Sequence, residues 1–301
     1  MSAEQTDGMP LWATLDPDFV YAVAMPVFAL SMLAEWALSR SRTDLRGYTP
    51  KDTAASITMG LGFLVLDTLW RALIFLPVFG ALATHPLFDL WSLLPPWAAA
   101  LVLLAADDLC FYAYHRAGHH IRLFWAAHHT HHSSEHYNLS TALRQSWAEL
   151  FYGPLFWLPL PLLGVPVEAI VLQQAISLLY QFGLHTELVG RSGPLGWVFN
   201  TASHHRVHHG RNPRYLDRNF AGIFIVWDRL FGTFCAEDEA VDYGTVKPLR
   251  SHHPLRIAGD EPRALLRDMR AAGSVVGALR VLFGPPAAAA PQTSGTPSTQ
   301  S

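Results

Sequence analysis

Charge is scarce in this chain. Only 15% of its 301 residues are Asp, Glu, Lys or Arg, against about 25% in an ordinary soluble domain, while 50% are hydrophobic. Lys and Arg are missing altogether between Ala72 and His115, which excludes an ordinary solvated surface over that stretch. A net charge of −3 and the lack of basic clusters interleaved with aromatics exclude a nucleic-acid partner. The two cysteines, Cys110 and Cys235, form no CxxC pair and support no disulfide framework. HExxH is absent, as are the Glu-x-x-His of ferritin-like di-iron bundles and the GxSxG of acyl-transfer enzymes. Met1 to Asp18 holds no Lys or Arg, so the basic region of a cleavable secretory signal is missing and the first apolar run is expected to stay.

What remains is a chain built for a membrane. The first apolar run, Phe19 to Leu38, spans about 30 Å as a helix, enough for a bilayer core, with Pro26 inside it. Arg40, Arg42, Arg46 and Lys51 follow in a short loop that the positive-inside rule places in the cytoplasm, with the N-terminus outside. A second span covers about Thr53 to Leu82, its Asp67 and Arg71 spaced i, i+4 to neutralise each other. The third, Trp97 to Tyr114, runs back inward. Trp147 to His185 is apolar but broken by Pro154, Pro159, Pro161 and Pro166, and reads as two short membrane helices hinged near LPLPLLGVP or as a re-entrant pair. Glu261 to Phe283 has a helical period, either at the membrane surface or packed on a cytoplasmic cap. The fold class is therefore all-α: a polytopic membrane bundle of about four to five membrane helices with a cytoplasmic cap. Residues 1–284 form one domain and 285–301, low in complexity, a disordered tail.

Against this apolar background, histidine is concentrated in three clusters: His115-x3-His119, His128-x2-His131-His132 and His205-x2-His208-His209. Residues at i, i+3 and i+4 share one helix face, so each cluster aims its imidazoles at a common point, and three helices can converge on one site. Asp108 and Tyr112 extend the stripe of the first cluster backwards. A ligating histidine usually gives its other ring N–H to an acceptor, so Asp108 is expected to orient such a ring. His185, returning at the same depth, is a ninth candidate. His120, His129, His136 and His204 fall off the stripes and are expected to be hydrogen-bonding neighbours. So many imidazoles exceed what one tetrahedral zinc uses and point to two metals, although imidazole alone does not choose among Zn, Fe, Cu and Ni.

The motifs HRAGH, HHTHH and HRVHH resemble the three histidine boxes of the membrane fatty acid hydroxylase and sterol desaturase superfamily. More narrowly, HHSSEHYNLSTALRQS (131–146), LHTE (184–187), SHHRVHHGRNP (203–213) and WDRLFGTF (227–234) look like its alkylglycerol monooxygenase branch. The resemblance covers roughly residues 107–234. It implies two iron ions that activate O2 to hydroxylate a C–H bond of a membrane lipid. In the narrower branch that bond is next to an ether oxygen, and the product falls apart to an aldehyde. It also implies tetrahydrobiopterin, or else an external reductase as redox partner, and it supports His185 as a ligand. Glu135 and Asn138 match the branch's box and are assigned supporting roles behind the ligands; Glu187 is assigned to the cofactor side. The alternatives are a fatty acid, sterol or carotenoid hydroxylase or desaturase of the same superfamily and, from another class, a divalent-metal transporter.

Overall fold

The computed structural model describes residues 17–286. All but residues 285 and 286 of the low-complexity tail, 285–301, and the acidic stretch before residue 17 lie outside the described residues. Within them the chain is helical, and its local sequence explains most boundaries. Helix α1 (Pro17–Ser39) contains Pro26. Helix α2 (Pro50–Trp70) starts with a proline in the first turn, where the missing N–H costs nothing. A π-helical turn, Arg71–Phe75, joins it to α3 (Leu76–Ala83). Pro77 sits just beyond that turn, and its ring cannot meet the carbonyl four residues back without local widening. Helix α4 (Pro96–His120) again opens on a proline, and α5 (Arg122–His132) follows after the extended residue Ile121.

Among the described residues, three helical runs are long and apolar enough to cross a membrane: Ala22–Ser39, Pro50–Ala83 and Pro96–His120. The third is the most enclosed, with 28% of its window buried inside the protein against 11% and 6% for the others. It runs on unbroken past Tyr114, so the first histidine cluster rides on a membrane helix and is not displayed beyond it.

The proline-rich stretch departs from a pair of helices. Its first limb is a string of single turns, Glu149–Phe151, Gly153–Trp157 and α6 (Pro159–Leu162), because Pro154, Pro159 and Pro161 each remove a backbone donor. The chain reverses at Gly164, whose φ of 85° suits a residue without a side chain. The second limb is α7 (Val167–Phe182), 16 residues long. Short helices α8 (Ala202–His208) and α9 (Val226–Leu230) follow. The expected helix over 261–283 is two helices, α10 (Pro254–Ala271) and α11 (Val275–Phe283). Gly273, at φ 66°, breaks it, and Ser274 caps the restart by accepting from Gly277 N–H at 3.0 Å.

Packing divides the molecule by depth. Phe75, Phe79, Leu103, Trp157, Leu160 and Ile170 close one end of the bundle. Phe28 on α1 stacks on Phe182 of α7 at 3.8 Å and packs with Leu139 and Ala142 near the histidine end. There the polar interior begins. Arg144, 1% exposed, pairs with buried Asp52 and donates to Ser56 and Ser133. Arg122, also buried, ties α5 to α10 through Glu261 at 3.0 Å and Asp268 at 3.4 Å.

Candidate metal centre

Helix periodicity delivers the ligands. On α4, His115 and His119 are one turn apart; on α5, His128, His131 and His132 share a face; His205 and His208 stand on α8 with His209 at its end. Thr201 starts α8 by accepting from His204 N–H. His185 arrives three residues past α7.

These nine side chains come together in two sets. His115, His119, His128, His132 and His208 form one, His131, His185, His205 and His209 the other, and within each set one ring nitrogen per residue lies within 4.8 Å of the rest. In the first set, the Nε2 atoms of His115 and His128 are 3.0 Å apart, of His119 and His132 3.2 Å, and of His208 and His132 3.1 Å. In the second, His185 Nε2 is 3.2 Å from His131 Nε2 and 3.1 Å from His205 Nε2. All nine are buried.

The opposite ring nitrogens decide what these Nε2 atoms are. His115 Nδ1 lies 2.9 Å from Phe220 O, His208 Nδ1 2.9 Å from Arg218 O, and His185 Nδ1 2.9 Å from Gln181 O. A carbonyl only accepts, so each Nδ1 carries the proton and each Nε2 presents a lone pair. Burial reinforces this by disfavouring imidazolium: it holds His208 down to about 3 and His185 to about 4. His131, His132, His205 and His209 are pushed well below their usual range, by burial first and then by their imidazole neighbours. Neutral, clustered imidazoles are metal ligands in their competent state, and the buried His209 Nε2 has no hydrogen-bond partner. The donor set therefore fits two cations of the first transition row.

Asp108, expected to orient a ligand ring, makes its hydrogen bonds with backbone and indole donors. Its carboxylate accepts from Ile223 N–H at 2.6 Å, Phe224 N–H at 2.8 Å and the Trp227 indole at 3.0 Å. Asp228 does the same one step earlier, accepting from Phe220 and Ala221 N–H, each at 2.8 Å. Together they pin the 220–224 segment whose Phe220 carbonyl orients His115. A side chain at Gly222 would lie 2.6 Å from Asp108 Oδ1, so only glycine fits there. Tyr112, on the same stripe, joins through Thr233 at 2.9 Å, and Thr233 in turn donates to Asp228.

The carboxylate that does meet a ligand ring is Glu149, with Oε1 2.8 Å from His128 Nδ1. Sequence reasoning missed it, although a lone acid inside the apolar 147–151 stretch was a signal in itself. A second acid, Asp217, lies 3.4 Å from His119 Nδ1. Glu135 and Asn138 are placed against no candidate ligand. Glu135, exposed, meets Arg211 at 3.2 Å, and Asn138 caps the Leu139–Leu143 turn and donates to Gly47 O. Glu187 accepts from Arg46 N–H at 2.8 Å and lines a polar cavity of about 570 Å³ with Arg46, Arg206, Glu237 and Tyr243. Off the stripes, His120 bonds Arg116 O and His136 bonds Arg46 O. His129 and His204 pack on Trp125 and Phe234, outside both sets.

A second, largely apolar cavity of about 430 Å³ has His115, His128, His131, His185 and His205 at one end. It runs between α1, α2 and α7, where Met25, Leu61, Leu64 and Leu178 line it and are exposed.

Comparison with known proteins follows the same residues. Residues 100–233 match the fatty acid hydroxylase family. Over 245 residues, 80% of this chain, it is 37% identical to alkylglycerol monooxygenase of Xenopus tropicalis and 39% identical to that of Homo sapiens, covering 53% of each. It is 31% identical to an ornithine lipid hydroxylase of Rhizobium tropici over 158 residues, 51% of this chain and 46% of that one. The chain thus spans about half the length of the curated relatives it matches. No solved structure matches it.

Proposed function

We propose, from the match of residues 100–233 to the fatty acid hydroxylase family, that the chain is a membrane-bound non-haem di-iron oxygenase that hydroxylates a C–H bond of a lipid. The ether-adjacent carbon of an alkylglycerol is the first candidate. One observation carries the reading: residues of both histidine sets stand at the end of an apolar cavity lined by the membrane-length helices.

His115, His119, His128, His132 and His208 would hold one iron, and His131, His185, His205 and His209 the other. Bound iron supplies O2 activation and hydroxylation of an unactivated C–H bond, given two electrons from a donor. The chain's own residues do the rest. Backbone carbonyls of Phe220, Arg218 and Gln181, with Glu149, fix the rings so that Nε2 faces inward. The apolar walls of the cavity align an alkyl chain with its reacting carbon toward the histidines. Electrons enter on the other side, where the polar cavity at Glu187 and Arg206 adjoins Tyr243. Tyr243 stacks on Tyr137 at 4.8 Å, and Tyr137 on His185 at 5.7 Å. Tetrahydrobiopterin or a reductase is the donor in this reading. In this reading the face is cytoplasmic, which Arg40, Arg42, Arg46 and Lys51 support through the positive-inside rule, and residues 1–284 act as one domain.

The transporter reading lacks a path. The histidines gather at one end of the bundle, and the two charges deeper in the cavity, Asp67 and Arg71, neutralise each other at 2.7 Å. A hydroxylase for another lipid remains the second reading, favoured by the match to the ornithine lipid hydroxylase. The test is O2- and iron-dependent turnover in isolated membranes, with tetrahydrobiopterin added or withheld, following aldehyde release from an alkylglycerol alongside hydroxylated fatty acids and sterols. Pterin-dependent aldehyde supports the ether-cleaving form. Hydroxylated lipid without a pterin requirement moves the protein to the second reading, and turnover insensitive to iron removal ends both.

A further inference from the structure

The apolar cavity has two ends, and the end away from the histidines is not apolar. Three charged residues line it. Glu149 belongs to the histidine end; the other two are Asp67 and Arg71. Arg71 Nε donates to Asp67 Oδ2 at 2.7 Å, and its Nη1 donates to Gln174 on α7 at 3.2 Å. All three residues line the cavity, as does Trp70, whose buried indole N–H has no partner. One turn further on, Phe75 and Trp157 line the cavity and also belong to the bundle's closed core with Phe79 and Ile170. The polar group therefore stands just short of a blind end. It also sits in the middle of the 34-residue Pro50–Ala83 run, on the π-helical turn, where ionisable side chains are costly.

We propose that Asp67, Arg71 and Gln174 form a chain-length stop, the specificity-determining element for lipid tails in this cavity. The inference rests on the lipid-oxygenase reading for what happens at the histidine end, but not for what fills the tail. An alkyl chain gains by displacing water from apolar walls and loses by displacing it from an ion pair that has no other solvent. A tail that ends before Arg71 leaves the pair hydrated. A tail longer by even two carbons strips it. The pair thus acts before the Phe75 wall is reached. The rise of α7 from Gln174 to Phe182 is about 12 Å, which sets the scale of the permitted tail.

The experiment uses the full chain in membranes and a series of lipids differing only in tail length. Two readouts are taken: kcat/KM for each length, and the tail lengths of lipids retained by the purified protein, measured by mass spectrometry. Wild-type protein should lose at least tenfold in kcat/KM within two carbons of a cut-off. The double variant Asp67→Leu/Arg71→Met removes both charges together and leaves neither unpaired; it should move the cut-off, and the retained lipids, outward by two or more carbons. Phe79→Leu opens space behind Phe75, beyond the pair, without touching the Arg71 guanidinium that lies over the Phe75 ring, and should leave the cut-off in place; Arg71→Lys, which keeps the charge, should as well. An unchanged cut-off in the double variant, or an outward shift in Phe79→Leu, overturns the proposal. Should the double variant fail to accumulate, the Phe79→Leu result decides alone. If no lipid is turned over by any form while the retained tails still lengthen in the double variant, the stop stands and the oxygenase reading falls.

Discussion

The Glu149 carboxylate lies 2.8 Å from His128 Nδ1, and both side chains are buried. Among the described residues no other acid meets a ring of either set at hydrogen-bonding distance this short, and Glu149 also lines the apolar cavity. It fixes the orientation of the His128 ring, leaving Nε2 to face the other histidines. Glu149→Gln keeps the shape and a hydrogen-bonding atom but removes the charge. Metal affinity should fall roughly 10- to 100-fold, read by chelator competition, with the protein still recovered from the membrane fraction. Unchanged metal retention would return Glu149 to a structural role.

Division into two sets makes a stoichiometric prediction. His208→Ala removes a ring from the five-histidine set and His131→Ala one from the four-histidine set. Each should abolish turnover, yet each should lower the metal content toward one ion per chain and not toward zero. Metal analysis of the two purified variants checks this. Loss of both ions from either variant means that the sets fill as one unit.

Asp108 is expected to matter for stability before it matters for metal. Asn in its place can accept only with its single oxygen, so one of the backbone N–H groups of Ile223 and Phe224 is left facing an amide NH2. Hydrogen bonds to a charged group contribute about 1.5–3 kcal/mol each, so Asp108→Asn should cost on the order of 2 kcal/mol. A lower thermal midpoint in both metal-loaded and metal-stripped protein is the expected result. A deficit confined to the metal-loaded form would restore Asp108 as an orienter of the ligands.

Much of this architecture was legible in the residues, and the reason is periodicity. Spacings of three and four put each histidine cluster on one face whatever the surroundings, and long apolar runs bounded by prolines and arginines marked the three membrane-length helices. What was hidden depended on which distant segment packs alongside. The stripe Asp108, Tyr112, His115, His119 does lie on one face of α4, but the 220–233 segment comes between Asp108 and any ligand ring. No spacing in the sequence announces that contact across more than a hundred residues. Glu149 was missed for the same reason, its partner standing 21 residues upstream on another helix. The break at Gly273 was local, and a glycine followed by serine was a readable stop and restart.

The buried histidines also make the protein sensitive to acid, with a sign that follows from their shift. His208 is held down to about 3 and His185 to about 4 by burial, whereas in an unfolded chain both titrate near 6.5. Above that value both states are neutral and the histidines cost nothing. Below it the unfolded chain takes up protons that the folded chain refuses, so stability falls progressively as the pH drops from about 6.5 toward the folded values. Metal-stripped protein should therefore show its highest thermal midpoint above pH 7 and lose it steadily through pH 6 and 5. Bound metal should delay the loss, because protons must then displace it from Nε2 before the imidazoles can charge. Midpoints measured at pH 8, 6 and 5, with and without chelator, separate the two effects. A metal-stripped midpoint that is flat from pH 8 to 5 would mean that the His208 and His185 rings are hydrated and free to charge in place, and would undo the argument that burial keeps them ready to bind.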